Sequence, residues 1–180
     1  MWKRGIFLLL ALAFAVGANM DVCCTVALNG QELEGLYSPF AADKSMEAAA
    51  AAAEELLETP AVLPKMSKHY RLSLRPAQGD AREISDAALR SVSGVRLADG
   101  VFVNGVYLGS VEDGDDLFLH LREFILNQMP NAAVFGNISG KATVQKIYGR
   151  ASRMTDYDDM VLLITGMAPV IYVNENGKLV

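Results

Sequence analysis

Few side chains in this sequence could do chemistry, and their spacing limits what they could do. The only histidines are His69 and His120, and the only cysteines are the adjacent Cys23 and Cys24. A vicinal cysteine pair closes only a strained ring, so it builds no disulfide framework. Metal ligation by the pair would need two further ligands. If the pair lies on a strand, alternation buries one thiol and leaves the other near solvent. A nucleophilic Ser or Cys needs a base, usually His. His69 is expected at the exposed edge of a strand, and His120 on the polar face of a helix. The acidic groups Asp113, Asp115, Asp116 and Asp156, Asp158, Asp159 lack the twelve-residue ligand spread and closing Glu of an EF-type calcium loop. Their spacing suits the capped first turn of a helix. Neither G-x-x-x-x-G-K-S nor G-x-G-x-x-G occurs, so no phosphate loop is expected. Asn137-Ile138-Ser139 is a glycosylation acceptor only in a glycosylating host. Tyr107, Tyr148 and Tyr157 could line a groove for sugar or peptide, since tyrosine offers a flat apolar face with a polar tip. Core packing and cross-strand pairing account for Tyr107 and Tyr148 equally well. The expectation is therefore no catalytic residue, no metal and no cofactor.

The elements that carry these residues begin with a leader. Lys3 and Arg4 precede an unbroken apolar run, Ile6 to Phe14, and Ala13-Phe14-Ala15 supplies a small-x-small cleavage pattern. Residues 1–18 are expected to be a secretory signal peptide. Polar Asn19 and Asp21 cut the run short of the ~20 apolar residues of a full membrane span; retention as a short anchor is the alternative. Met20-Asp21-Val22 before Cys23 does not resemble the small-residue sequence of a lipoprotein signal. Without Lys3 and Arg4 the net charge of −5 becomes about −7. An acidic chain with a pI near 5.0 argues against a nucleic-acid partner and offers nothing to anionic lipid.

The rest of the chain reads twice through one pattern. Thr25–Leu33 aligns with Gly100–Leu108 around Asn29-Gly30 and Asn104-Gly105, the pair that favours type I′ hairpins. Gly35 and Gly109 follow each. A helix comes next: Met46 to Glu58, capped by Asp43 or Ser45 and ended at Pro60, and a second opened by Asp113–Asp116 and stopped by Pro130. Residues 69–75 and 142–148 alternate like half-buried strands. Each leads to a helix, from Ser85-Asp86 to Gly94 and from Thr155-Asp156 to Gly166. Residues 133–141 form a Gly-rich connection or an extra short strand. The expected fold is α+β: two tandem β-hairpin–α–β–α repeats, residues 22–97 and 98–168, packed together. Residues 169–180 then supply a C-terminal strand or the start of a following unit.

The signal, the paired V-x-V-N-G-x-x-L-G elements, the Ser/Thr-Asp caps and the terminal Ala168-Pro169-Val170-Ile171-Tyr172-Val173-Asn174-Glu175-Asn176-Gly177 give the chain a resemblance. It resembles the N-terminal region of exported Gram-positive cell-wall peptidases, in which βα repeats precede a G5 domain and an M23-type zinc endopeptidase. That resemblance implies an envelope location and, as partner, peptidoglycan or a cell-wall enzyme domain. The H-x-x-x-D and H-x-H zinc elements of the peptidase are absent, so no catalytic residue carries over. The expected function is a non-catalytic extracytoplasmic module that positions or shields a cell-wall enzyme. The alternatives are a membrane-anchored interaction module, touching the membrane only through an uncleaved N-terminus, and a small exported hydrolase with an unrecognised site.

Overall fold

A computed structural model describes residues 20–129, 134–174, 176, 178 and 179. The expected signal peptide, 1–18, and the helix stop Pro130 lie outside the described residues. The fold is α+β, and the chain divides into two units between Ser93 and Gly94.

In the first unit, β1 (Asp21–Leu28) turns back into β2 (Gln31–Glu32), followed by α1 (Pro39–Leu57), β3 (Met66–Ser73) and α2 (Arg82–Ser91). The sheet is antiparallel in the order β2-β1-β3. In the second, β4 (Val95–Val103) and β5 (Val106–Val111) form the hairpin, followed by α3 (Gly114–Asn127), β6 (Val134–Ile138), β7 (Ala142–Arg150), α4 (Tyr157–Met167) and β8 (Val170–Asn174). Its main sheet is antiparallel in the order β5-β4-β7. In the first unit the strand after the helix lies beside the first hairpin strand; in the second that place is taken by β7, and β6, which follows the helix, lies outside the main sheet.

Both hairpins turn where expected. Asn29 and Asn104 have φ of 50° and 51°, and Gly30 and Gly105 of 86° and 81°. Positive φ at both central positions defines the type I′ turn, whose twist matches the flanking strands.

Several expectations are corrected. Helix α1 starts at Pro39, so Asp43 and Ser45 lie inside it. Proline at the first helical position is already set to helical φ and has no N–H to satisfy, so the helix nucleates there. Helix α2 starts at Arg82, which puts Asp86 in mid-helix. Asp80 takes the role given to Asp86, with its Oδ1 accepting the Arg82 N–H at 2.9 Å. Cys23 and Cys24 are both fully buried free thiols, since β1 is buried on both faces from Cys23 to Leu28. Two expectations left open are decided rather than corrected: residues 134–138 are the extra short strand, β6, and the tail supplies a C-terminal strand, β8, which pairs with β6 in a separate two-stranded sheet. Strand β4 begins at Val95, three residues before the boundary drawn from sequence.

The cores differ in grain. The second unit buries Val101, Val103, Val111, Leu117, Leu121, Met160 and Ile164 as one cluster. The first buries Val26, Tyr37 and Ile84 among small side chains: both cysteines, Ala42, Ala49, Ala53 and Ala88.

Candidate functional site

The three singled-out tyrosines do not share a groove. On β4, alternation places Leu97, Asp99, Val101 and Val103 on the face toward the buried cluster and Phe102 on the other. Tyr148 is opposite Leu97, and so belongs to the helix-bearing face. Tyr107 stacks on Phe102, with ring centroids 5.4 Å apart, on the opposite face. Tyr157 opens α4, where it stacks on His120 at 5.0 Å and its hydroxyl accepts the Asp113 N–H at 3.2 Å. Its phenol is raised above the usual range, chiefly by burial, with nearby Asp116, Asp113 and Glu112 adding to the shift.

The turn and cap residues act as structural parts. Asn29 Oδ1 accepts the Lys65 N–H at 2.8 Å, while the Asn29 N–H donates to the Lys65 carbonyl at 2.9 Å. Asn104 makes the same two bonds to Lys141, at 3.0 and 2.9 Å. In each unit the hairpin tip thereby clamps the residue just before the next sheet strand. Asp113 Oδ1 accepts from the Asp115 and Asp116 N–H groups, and Asp156 Oδ1 from that of Asp158. Both are N-caps, as expected.

The remaining ionisable groups are held in place by the fold. Asp99 is buried in β4, where its Oδ2 accepts from Lys146 Nζ and the Gly114 N–H, each at 2.8 Å. Burial alone would raise its pKa, but these two donors together hold the carboxyl below the usual range. Buried Tyr37 has its hydroxyl 2.6 Å from the Glu34 carbonyl and 2.9 Å from Glu83 Oε2. Burial first, then the Glu83 carboxylate, pushes this phenol up to about 12. Burial also raises the Cys24 thiol, which lowers its thiolate fraction and its reactivity. Cys23 Sγ lies 4.0 Å from the Arg75 carbonyl. His120 Nδ1 is 3.4 Å from Asp158 Oδ1. His120 is thus partnered by α4 rather than simply solvated. Among the described residues, no three His, Cys, Asp or Glu side chains are placed to hold a metal, and no helix is long and apolar enough to cross a membrane.

No family model, curated protein or solved structure matches this chain.

What stands out is a surface. Strand β3 was expected to be half-buried, but Tyr70, Leu72 and the following Leu74 are 62%, 70% and 66% exposed. Val22, opposite Leu72, is 55% exposed as well. Among the described residues β3 pairs only with β1, so its other edge is open. Between Glu58 and Asp80 the sequence has Lys65, Lys68, Arg71 and Arg75 and no acidic residue. Lys68 is bound to Asp43 at 2.6 Å. That carboxylate holds its ammonium above the usual range. Arg71 and Arg75 have no ion-pair partner among the described residues. The sequence signal for this surface was the local absence of Asp and Glu in an otherwise acidic chain. A second apolar groove of about 420 Å³ lies between α3 and β6, lined by Phe118, Leu126 and Phe135 among others.

Proposed function

We propose that the chain is a non-catalytic extracytoplasmic module of the cell envelope, built from two copies of one β-hairpin–α–β–α unit, which positions or shields a cell-wall enzyme. The observation that carries this reading is the clamp made twice, Asn29 with Lys65 and Asn104 with Lys141. Two units that each tie the hairpin tip to the residue entering the third strand of the main sheet suit a scaffold that presents surfaces. The carboxylates with stated partners support it too. Asp43, Asp99, Asp113 and Asp156 serve ion pairs and helix caps. The basic start and apolar run of residues 1–18 supply the export half of the proposal.

Purified sacculi test the wall version. The chain should co-sediment with them above the level of an unrelated protein of equal acidity; no enrichment removes peptidoglycan as the partner. A second reading, an anchored interaction module, is favoured by exposed Val22 and Leu72, which sit beside the point where the apolar leader joins β1. Mass spectrometry of the native N-terminus separates the two. A mature chain beginning near residue 16 or 19 supports export with cleavage, and an intact leader supports the anchor.

A further inference from the structure

The open edge of β3 has two unlike sides. Along the strand, Tyr70 and Leu72 share one side with Lys68, which Asp43 holds, and His69, Arg71 and Ser73 take the other; exposed Leu74 and Arg75 follow in the bend after the strand. All of the apolar set is well over half exposed. Charged side chains on an edge strand ordinarily guard it against pairing with other chains. The guard is incomplete here. Lys68 is drawn onto Asp43, and three large apolar side chains remain in water beside an unpaired backbone.

We propose that the outer edge of β3 binds an extended segment of a partner protein in which apolar and acidic residues alternate. The partner's backbone adds a strand to the sheet β2-β1-β3. Its apolar residues cover Tyr70 and Leu72, its carboxylates meet Arg71, and Leu74 and Arg75 lie just beyond the paired stretch. Main-chain hydrogen bonds supply affinity in this mode, and alternate side chains supply specificity. Charge complementarity selects the occupant. The edge carries Arg71, which has no ion-pair partner among the described residues, within a chain of net charge −5, so a second copy presenting the same strand would set like charges against each other. The apolar row distinguishes the partner from an anionic polymer, which would have nothing to place there.

This inference rests on reading the chain as a docking module, but the two can fail separately. The test uses the full chain and a fluorescent synthetic peptide of alternating valine and glutamate, as long as β3. Binding should bring amide hydrogen-exchange protection to residues 66–73 and to no other strand. Arg71→Glu should weaken binding about tenfold, and a valine–lysine peptide should restore affinity for that variant. N-methylation of alternate peptide amides should abolish binding, because it removes the strand pairing. Unchanged affinity in the Arg71→Glu variant, or binding without protection of β3, overturns the proposal. Binding to phosphatidylglycerol vesicles but not to the peptide also overturns it, in favour of a lipid surface. Peptide binding by a chain that never reaches the envelope would remove the functional reading and leave this inference standing. Retention at the wall with an inert β3 would do the reverse.

Discussion

The main sheets of the two units share a strand order, the second unit adds the β6-β8 pair, and the units hold themselves together differently. The second packs leucine, isoleucine, methionine and valine around Leu117 and Met160, and both its long helices start on an aspartate cap. The first sets α1 close through Ala42, Ala49 and Ala53, and the cap position Ser38 makes no side-chain bond. Its larger apolar side chains on β3 are left outside. The contrast suggests a division of labour: the second unit is built for internal packing, and the first leaves a surface open.

The largest expected effects probe that contrast directly. Leu117→Ala opens a cavity in a core of large side chains and should cost about 2–5 kcal/mol. In the first unit the damaging change runs the other way. Ala53→Leu overpacks a fully buried small site and should cost about 1–3 kcal/mol. Urea unfolding followed by site-resolved hydrogen exchange would check both, and a harmless Ala53→Leu would contradict the close-packed first unit.

Next comes Asp99. Removing its side chain in Asp99→Ala strands the buried Gly114 N–H, for a loss of about 1–3 kcal/mol. Its folded pKa is lowered, so its contribution is fully present above the ordinary carboxylate range and fades as pH falls through the lower folded value. Acid unfolding of Asp99→Asn should therefore lose part of this pH dependence below about pH 4.

The hairpin clamps should respond alike. Asn29→Ala and Asn104→Ala each lose a hydrogen bond and put alanine where asparagine, the residue type more tolerant of positive φ, stood, a cost of about 1–3 kcal/mol each. The Asn→Gly versions keep the turn and should cost less. Thermal denaturation of the four variants would check this, and a large cost in one unit with none in the other would break the equivalence.

The smallest effects lie at the caps. Asp113→Ala and Asp156→Ala should each cost about 1 kcal/mol, while Ser38→Ala should be close to neutral because its hydroxyl caps nothing. Melting curves would show whether the units differ here as their geometry requires.

Much of the framework was legible because local chemistry dictated it. Asn-Gly fixes a type I′ turn, Asp113 and Asp156 precede helical spacing, and alternation marks β3 and β7. What was missed depended on neighbours distant in sequence. Pro39 outcompeted Asp43 for the start of α1, and Asp43 was instead drawn to Lys68. Asp80 displaced Asp86 because it stands where the chain enters α2. Whether each face of a strand is covered depends on what packs on it from elsewhere in the chain, which spacing does not encode: both faces of β1 are buried at Cys23 and Cys24, and β3 exposes Tyr70 and Leu72.

The most direct test of a docking module at the envelope is sedimentation of the full chain with cell envelopes that retain their wall proteins. The account predicts that the wild-type chain pellets with them and that Arg71→Glu is largely left in the supernatant. A wild-type chain that stays in solution like any acidic protein, or a variant that pellets equally well, would contradict it.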